Sequence, residues 1–173
     1  GRRRRYHLSV RRAVLPAALL LALAAGAGLR AEELPKFGVL HRPKVWASSS
    51  PDLRGIKVIG GDYQLGALAR RTNTGELNAD IVATWIKHAA NRRTVVFAVD
   101  IEHSQAIVAA FRQANVPAEH LDGDTPRQER DAILARLRTG ETKMVSNCMV
   151  LTEGWDLPAL ECAIIARPTA SLN

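Results

Sequence analysis

The run VLTEGWDLPAL, Val150 to Leu160, sets two acids, Glu153 and Asp156, around a Gly154-Trp155 pair and reaches Pro158 soon after. A glycine at that place lets another molecule approach the backbone closely. Ionised carboxylates only accept hydrogen bonds, so the molecule must bring donors, and a ribose hydroxyl would suit Asp156. Asp156-Leu157-Pro158 also reads as a turn that starts the next strand. Just upstream, Ser146 and Asn147 end an apolar run with side chains able to donate to a phosphate. Ser104 and its neighbours open a helix, where free N–H groups favour an anion, although ordinary capping accounts for them too. Asp122, Gly123 and Asp124 precede a further helix, and a turn explains them equally well.

These residues need a scaffold, and the chain from about residue 78 supplies one. ADIVATWIKHAA carries Ile81, Val82, Trp85 and Ile86 on one helical stripe. RTVVFAV is a continuous β-branched and apolar run, the pattern of a strand covered on both faces. A helix follows, with Asp100 as N-cap and Ile107, Val108 and Phe111 on one side. AEHLDG reads as a short strand. TPRQERDAILARLRTG reads as a helix with Thr125 as N-cap, Pro126 at the first helical position, Gln128 completing a capping box and Gly140 closing it. TKMVSNC and ECAIIA are two more strands, and Ala163–Ala166 reads as fully buried. Alternating strands and helices predict an α/β fold, a parallel sheet with helices on both faces. In such a sheet ligands sit at the carboxyl ends of the strands. Three consecutive strands deliver DIEHSQ, DGDTPRQER and SNCMVLTEGWD to that edge.

Composition narrows the rest. The 173 residues carry a net charge of +7, but residues 1–30 hold seven arginines and no acid, so the remainder is neutral. The basic balance therefore belongs to the N-terminal segment and argues for no basic groove in the main body. Cys148 and Cys162 lack zinc spacing and read as buried free thiols in a reducing compartment. Residues 1–30 combine a basic head with an apolar stretch that Pro16 interrupts. This is the grammar of a secretory signal or membrane anchor, and equally of an Ala/Leu-rich helix packed on further protein, or of a segment foreign to the rest. We expect a cytoplasmic protein, with the signal or anchor at residues 1–30 as the alternative. The start at Gly1 and the end at Asn173 suggest a piece of a longer chain.

Taken together, RTVVFAVDIEHSQ, HLDGDTPRQER and VSNCMVLTEGWDLPALECAIIARPT resemble the second RecA-like domain of superfamily 2 helicases. The likeness is to the bacterial DEAD/DEAH-box type related to restriction-enzyme translocating subunits. VVFAVDIEHSQ is similar to motif IV and VLTEGWDLP to motif V. The resemblance covers roughly residues 28 to 173. It implies a RecA-like (P-loop NTPase-like) sheet, incomplete at the C-terminus. It divides the chain into the segment 1–30, a linker and lead-in at 31–77, and the helicase domain at 78–173.

The resemblance also implies roles. Ser104, Ser146 and Asn147 would touch a nucleic-acid backbone. Gly154 and Asp156 would face ATP, with Asp156 at the ribose, and Glu153 would couple the two sites. ATP and Mg2+ would be used by the full-length protein and not held stably by these residues alone. The implied partners are DNA or RNA and an N-terminal RecA-like domain. Departures limit the reading: the sequence contains no GxxxxGK[ST] loop and no DEAD or DEAH box, and the arginine-rich motif VI would follow Ser171. The lysine, the metal-holding acid and the arginine that stabilise phosphoryl transfer are thus missing from these residues. A non-catalytic binding module of the same fold, or a tethered or exported small protein, are the other classes considered.

Overall fold

Val95 and Val96, adjacent in strand β3 (Thr94–Phe97), are both fully buried and belong to different hydrophobic layers. That is the outcome that a continuous apolar strand demands, since successive side chains leave a sheet on opposite faces. Val96 packs with Val82, Trp85, Ile107, Val108, Phe111 and Met144. Val95 packs with Leu121, Ile133, Leu137 and Val145. The computed structural model describes residues 44–46, 49–151 and 157–170.

A small antiparallel hairpin comes first, β1 (Val58–Ile59) against β2 (Asp62–Tyr63). Gly60 and Gly61 both take positive φ, as a tight hairpin turn of this hand requires. Helix α1 (Leu65–Thr72) follows, then α2 (Gly75–Ala89), whose N-cap Thr74 accepts a hydrogen bond from the Leu77 N–H. After β3 come α3 (Ile101–Gln113), β4 (Ala118–Leu121), α4 (Arg127–Thr139), β5 (Met144–Asn147) and β6 (Cys162–Ile165).

Four strands form one sheet in the order β4-β5-β3-β6, and each neighbouring pair is parallel. Helices α2 and α3 cover one face and α4 the other, as the alternating pattern predicts. Trp85 pins α2 to the sheet: its indole N–H donates to Thr94 Oγ1 at 2.7 Å, and its ring meets Phe111 edge-on at 5.4 Å. Leu68 and Ala69 of α1 are buried with Val99, and Leu53, Ile56 and Tyr63 pack around them. The lead-in therefore contributes an apolar layer of its own.

Several local expectations are met and others are corrected. Asp100 caps α3 by accepting from the His103 N–H, and Gly140 closes α4 in the left-handed conformation. The Thr125 capping box does not form. Pro126 is the N-cap, with non-helical ψ, and the Thr125 hydroxyl bonds Asp122 instead. Asp122 competes for the hydroxyl because its carboxylate already gathers the N–H groups of Asp124 and Thr125. Ile86 is half exposed, so the buried stripe of α2 is narrower than the sequence implies. Strand β6 is not fully buried either. It sits at the end of the strand order, Cys162 and Ile164 face the core, and Ile165 is 68% exposed. Both cysteines are free and half-buried.

Candidate functional site

The parallel register brings the last residues of the strands level. Phe97 of β3 lies beside Asn147 of β5 and Ile165 of β6, and Leu121 of β4 lies beside Asn147 on its other side. The polar loops expected from the sequence thus emerge along one edge. Beside the loops after β3 and β5 lies an open cavity of about 480 Å3, walled by Leu65, Val99, Ile101 and Met149, with Asp100 and Arg167 among its charged members.

The three residues expected to meet phosphate are all buried. Ser104 and Ser146 are fully buried and their hydroxyl oxygens are 2.8 Å apart. Ser104 Oγ is also 2.7 Å from His120 Nδ1, and His120 Nε2 is 2.9 Å from Asp122 Oδ2. Asn147 is buried beside them and makes separate bonds. Its amide donates to the Val96 carbonyl at 2.9 Å, and its side-chain oxygen accepts from the Leu151 N–H at 3.2 Å. In this arrangement none of the three side chains has surface to offer a ligand. They bond α3 and the ends of β3, β4 and β5 to one another because a buried hydroxyl or amide must find a partner inside the protein.

A Ser-His-Asp chain suggests nucleophilic catalysis, and burial rules that out here. A nucleophile must reach its substrate, and Ser104 has no exposed surface. The imidazole hydrogen bond is also the leading reason that the Asp122 carboxyl sits below its ordinary value. His103, next to Ser104, is buried as well. Its Nδ1 accepts from the Val99 N–H at 3.4 Å, and Nε2 has no hydrogen-bond partner. Burial pushes its pKa below the ordinary 6.5, and the Asp100 charge opposes that shift.

Two features of this edge escaped the sequence reading. Met149 takes φ 58°, rare for a residue with an unbranched apolar side chain, and it is well exposed. Its sulfur is 3.1 Å from Arg167 Nη1, and Arg167 Nη2 is 3.0 Å from Asp62 Oδ2. Burial, reinforced by Asp100, raises the Cys148 thiol. His120 and Asp122 had a usable signal: they are two apart at the end of a strand, hence on one side of it. Glu153, Gly154 and Asp156 lie outside the described residues, as does the segment 1–30. No helix among the described residues is long and apolar enough to cross a membrane.

The family described as "Helicase conserved C-terminal domain" matches residues 77–173, more than half of the chain. The chain belongs to that family. Among curated proteins, this helicase C-terminal domain is similar to the putative ATP-dependent helicase IRC3 of Saccharomyces cerevisiae. The two are 33% identical over 123 residues, covering 69% of this chain and 18% of the yeast protein. It is also 31% identical over 123 residues to a 51.5 kDa protein of a Lactococcus phage, covering 71% of this chain and 27% of that one. A solved structure, the Pyrococcus furiosus Hef helicase domain, is 22% identical and aligns over 54% of this chain and 20% of the other, with a TM-score of 0.46. The chain spans less than a third of the length of these curated relatives.

Proposed function

We propose that this helicase C-terminal domain is the second motor domain of an ATP-dependent helicase or translocase. The reading rests above all on one observation. The family match covers the same residues whose strand ends are tied together at the carboxyl edge of the sheet. ATP would bind between this edge and a companion RecA-like domain, with Asp156 accepting from the ribose and Gly154 allowing close approach. The acids of this loop offer acceptors alone. The phosphates would therefore be held, with their Mg2+, mainly from the companion domain, because a carboxylate repels phosphate and a phosphate-loop lysine there would supply charge. Glu153 would couple nucleotide to nucleic acid.

In this proposal DNA or RNA passes over the same edge and is held through its phosphates. Ser104, Ser146 and Asn147 mark the place. Because their side chains are buried, contact would fall to backbone N–H groups of the loops that they brace. The deciding experiment compares the 173-residue chain with the complete protein. The chain alone should hydrolyse no ATP. The complete protein should hydrolyse it, faster with nucleic acid, and lose this on Asp156→Ala. Turnover by the isolated chain that disappears on Asp156→Ala would overturn the half-site reading, and a complete protein inert toward ATP would overturn the motor reading.

A further inference from the structure

The side-chain sequence Asp122–His120–Ser104–Ser146 runs from a partly exposed end to a fully buried one and spans three successive units of the fold. Asp122 follows the last residue of β4 and gathers the turn that leads to α4. It accepts from the N–H groups of Asp124 and Thr125 and from the Thr125 hydroxyl. His120 lies within β4, Ser104 in the first turn of α3, and Ser146 in β5, one residue before the loop that carries Glu153, Gly154 and Asp156. Ionised Asp122 can only accept, so His120 Nε2 bears a proton. His120 Nδ1 is left to meet the Ser104 hydroxyl, and the Ser104 and Ser146 hydroxyls complete the sequence. Each link is between 2.7 and 2.9 Å.

Backbone pairing already fixes β4 to β5 and β5 to β3. It does not fix how the three loops beyond the strand ends sit relative to one another. The side-chain sequence does this, since His120 and Ser146 are next to last in their strands, Asp122 lies just beyond β4 and Ser104 is in the first turn of α3. The inner link, Ser104 to Ser146, is fully buried, while His120 and Asp122 at the other end are partly exposed.

We infer that His120 is a positioning residue of the motor: through Ser104 and Ser146 it sets the loop after β5 against the turn after β4, and so transmits nucleic-acid engagement to the nucleotide side. The inference rests on the motor reading proposed above. It predicts a particular kinetic pattern. Removing the link should lower the maximal stimulation of ATP hydrolysis and leave nearly unchanged the nucleic-acid concentration that gives half of it.

The test uses the complete protein, with oligo(dT) and oligo(U) as probes and melting temperature measured in parallel. Variants are His120→Leu, His120→Gln and Ser146→Ala. A glutamine offers an acceptor for Ser104 and a donor for Asp122, so it can rebuild both bonds without the ring. We expect His120→Leu to lower maximal stimulation by about tenfold, the scale of a modest misplacement near a reacting centre, with half-saturation within about twofold of wild type. His120→Gln should recover most of the loss, and Ser146→Ala should fall in the same direction as His120→Leu. If His120→Leu does not fold, Ser146→Ala with His120→Gln decides. The inference is overturned by wild-type stimulation in Ser146→Ala, by equal loss in the leucine and glutamine variants, or by an effect confined to half-saturation. An unstimulated wild-type protein removes the motor reading, and this inference with it, which separates the two failures.

Discussion

Arg167 Nη2 lies 3.0 Å from Asp62 Oδ2, joining the segment after the last strand to the hairpin that precedes the first helix. Asp62 also accepts from the Thr169 hydroxyl and the Ala170 N–H at 3.2 and 3.0 Å. One carboxylate thus clasps the two ends of the described fold. Its pKa lies below the ordinary value, with the Ala170 and Tyr63 N–H bonds as the leading causes.

Removing that clasp should loosen the hairpin and spare the sheet. Asp62→Ala is expected to cost about 1 kcal/mol, the net value of a partly solvated hydrogen-bonded group. Hydrogen exchange should rise at residues 58–63 and at 167–170 and stay slow in β3 and β5. Uniform acceleration across the sheet would show that the carboxylate supports the whole fold.

Asn147 should matter more for stability than its chemistry suggests. Truncation to alanine leaves the buried Leu151 N–H without its partner and removes a second hydrogen bond from the Val96 carbonyl, which keeps its ladder bond to β5. We expect Asn147→Ala to cost about 2 kcal/mol, since a buried backbone group left unpaired costs about 1–3 kcal/mol. Chemical denaturation measures this directly. A loss below about 0.5 kcal/mol, the range of an ordinary surface change, would mean that water reaches the Leu151 N–H.

Stability should fall with acid in two stages. The folded state lowers the pKa of His103 through burial, so its contribution is complete above 6.5 and declines as pH falls from there toward the folded value. Glu119 is lowered mainly by the Arg136 side chain, and Asp122 mainly by His120. Their contributions are present above the ordinary values of 4.5 and 3.8 and vanish as pH falls through the lower folded values. Melting temperature should therefore be flat from neutrality up to the thiol range, where the raised Cys148 and Cys162 begin to cost stability, dip below pH 6.5 and dip again in the carboxylate range. His103→Gln should remove the first dip and keep the second. Survival of the first dip in that variant would move its cause elsewhere.

Binding to single strands should be weak and governed by salt. A chain starting near residue 31 has no net charge, so the seven arginines of residues 1–30 cannot dominate the measurement. Contacts to phosphate predict a log–log loss of affinity with salt and little base preference. Firm base preference, or binding that ignores salt, would contradict backbone contact.

Much of the fold was legible because it depends on local pattern. The run around Val95 and Val96 announces a doubly covered strand, and Asp100 and Gly140 announce the ends of helices. Thr125 was misread because its capping role depends on a competitor, Asp122, whose carboxylate orientation is set by His120. Likewise, β6 looks like a central strand from its residues, and its place at the end of the strand order is a property of the whole sheet. In the candidate site, the sequence located the edge and the family. It did not reveal that Ser104 and Ser146 face each other, because they stand 42 positions apart and meet only when α3 packs on β5.

The strand order also bears on biosynthesis. Thr94 of β3 pairs with Met144 and Cys162, both much later in the chain. As the polypeptide leaves the ribosome, β3 emerges with α2 and α3 available to shield one face and no strand yet on either side. Its backbone donors and acceptors must wait for β5, and the layer around Val95 must wait for α4. Non-local parallel pairing of this kind closes slowly and leaves a sticky strand exposed in the meantime. The nascent chain should therefore depend on chaperone cover until β5 has emerged, and stalling translation between α3 and β5 should be the point of greatest aggregation.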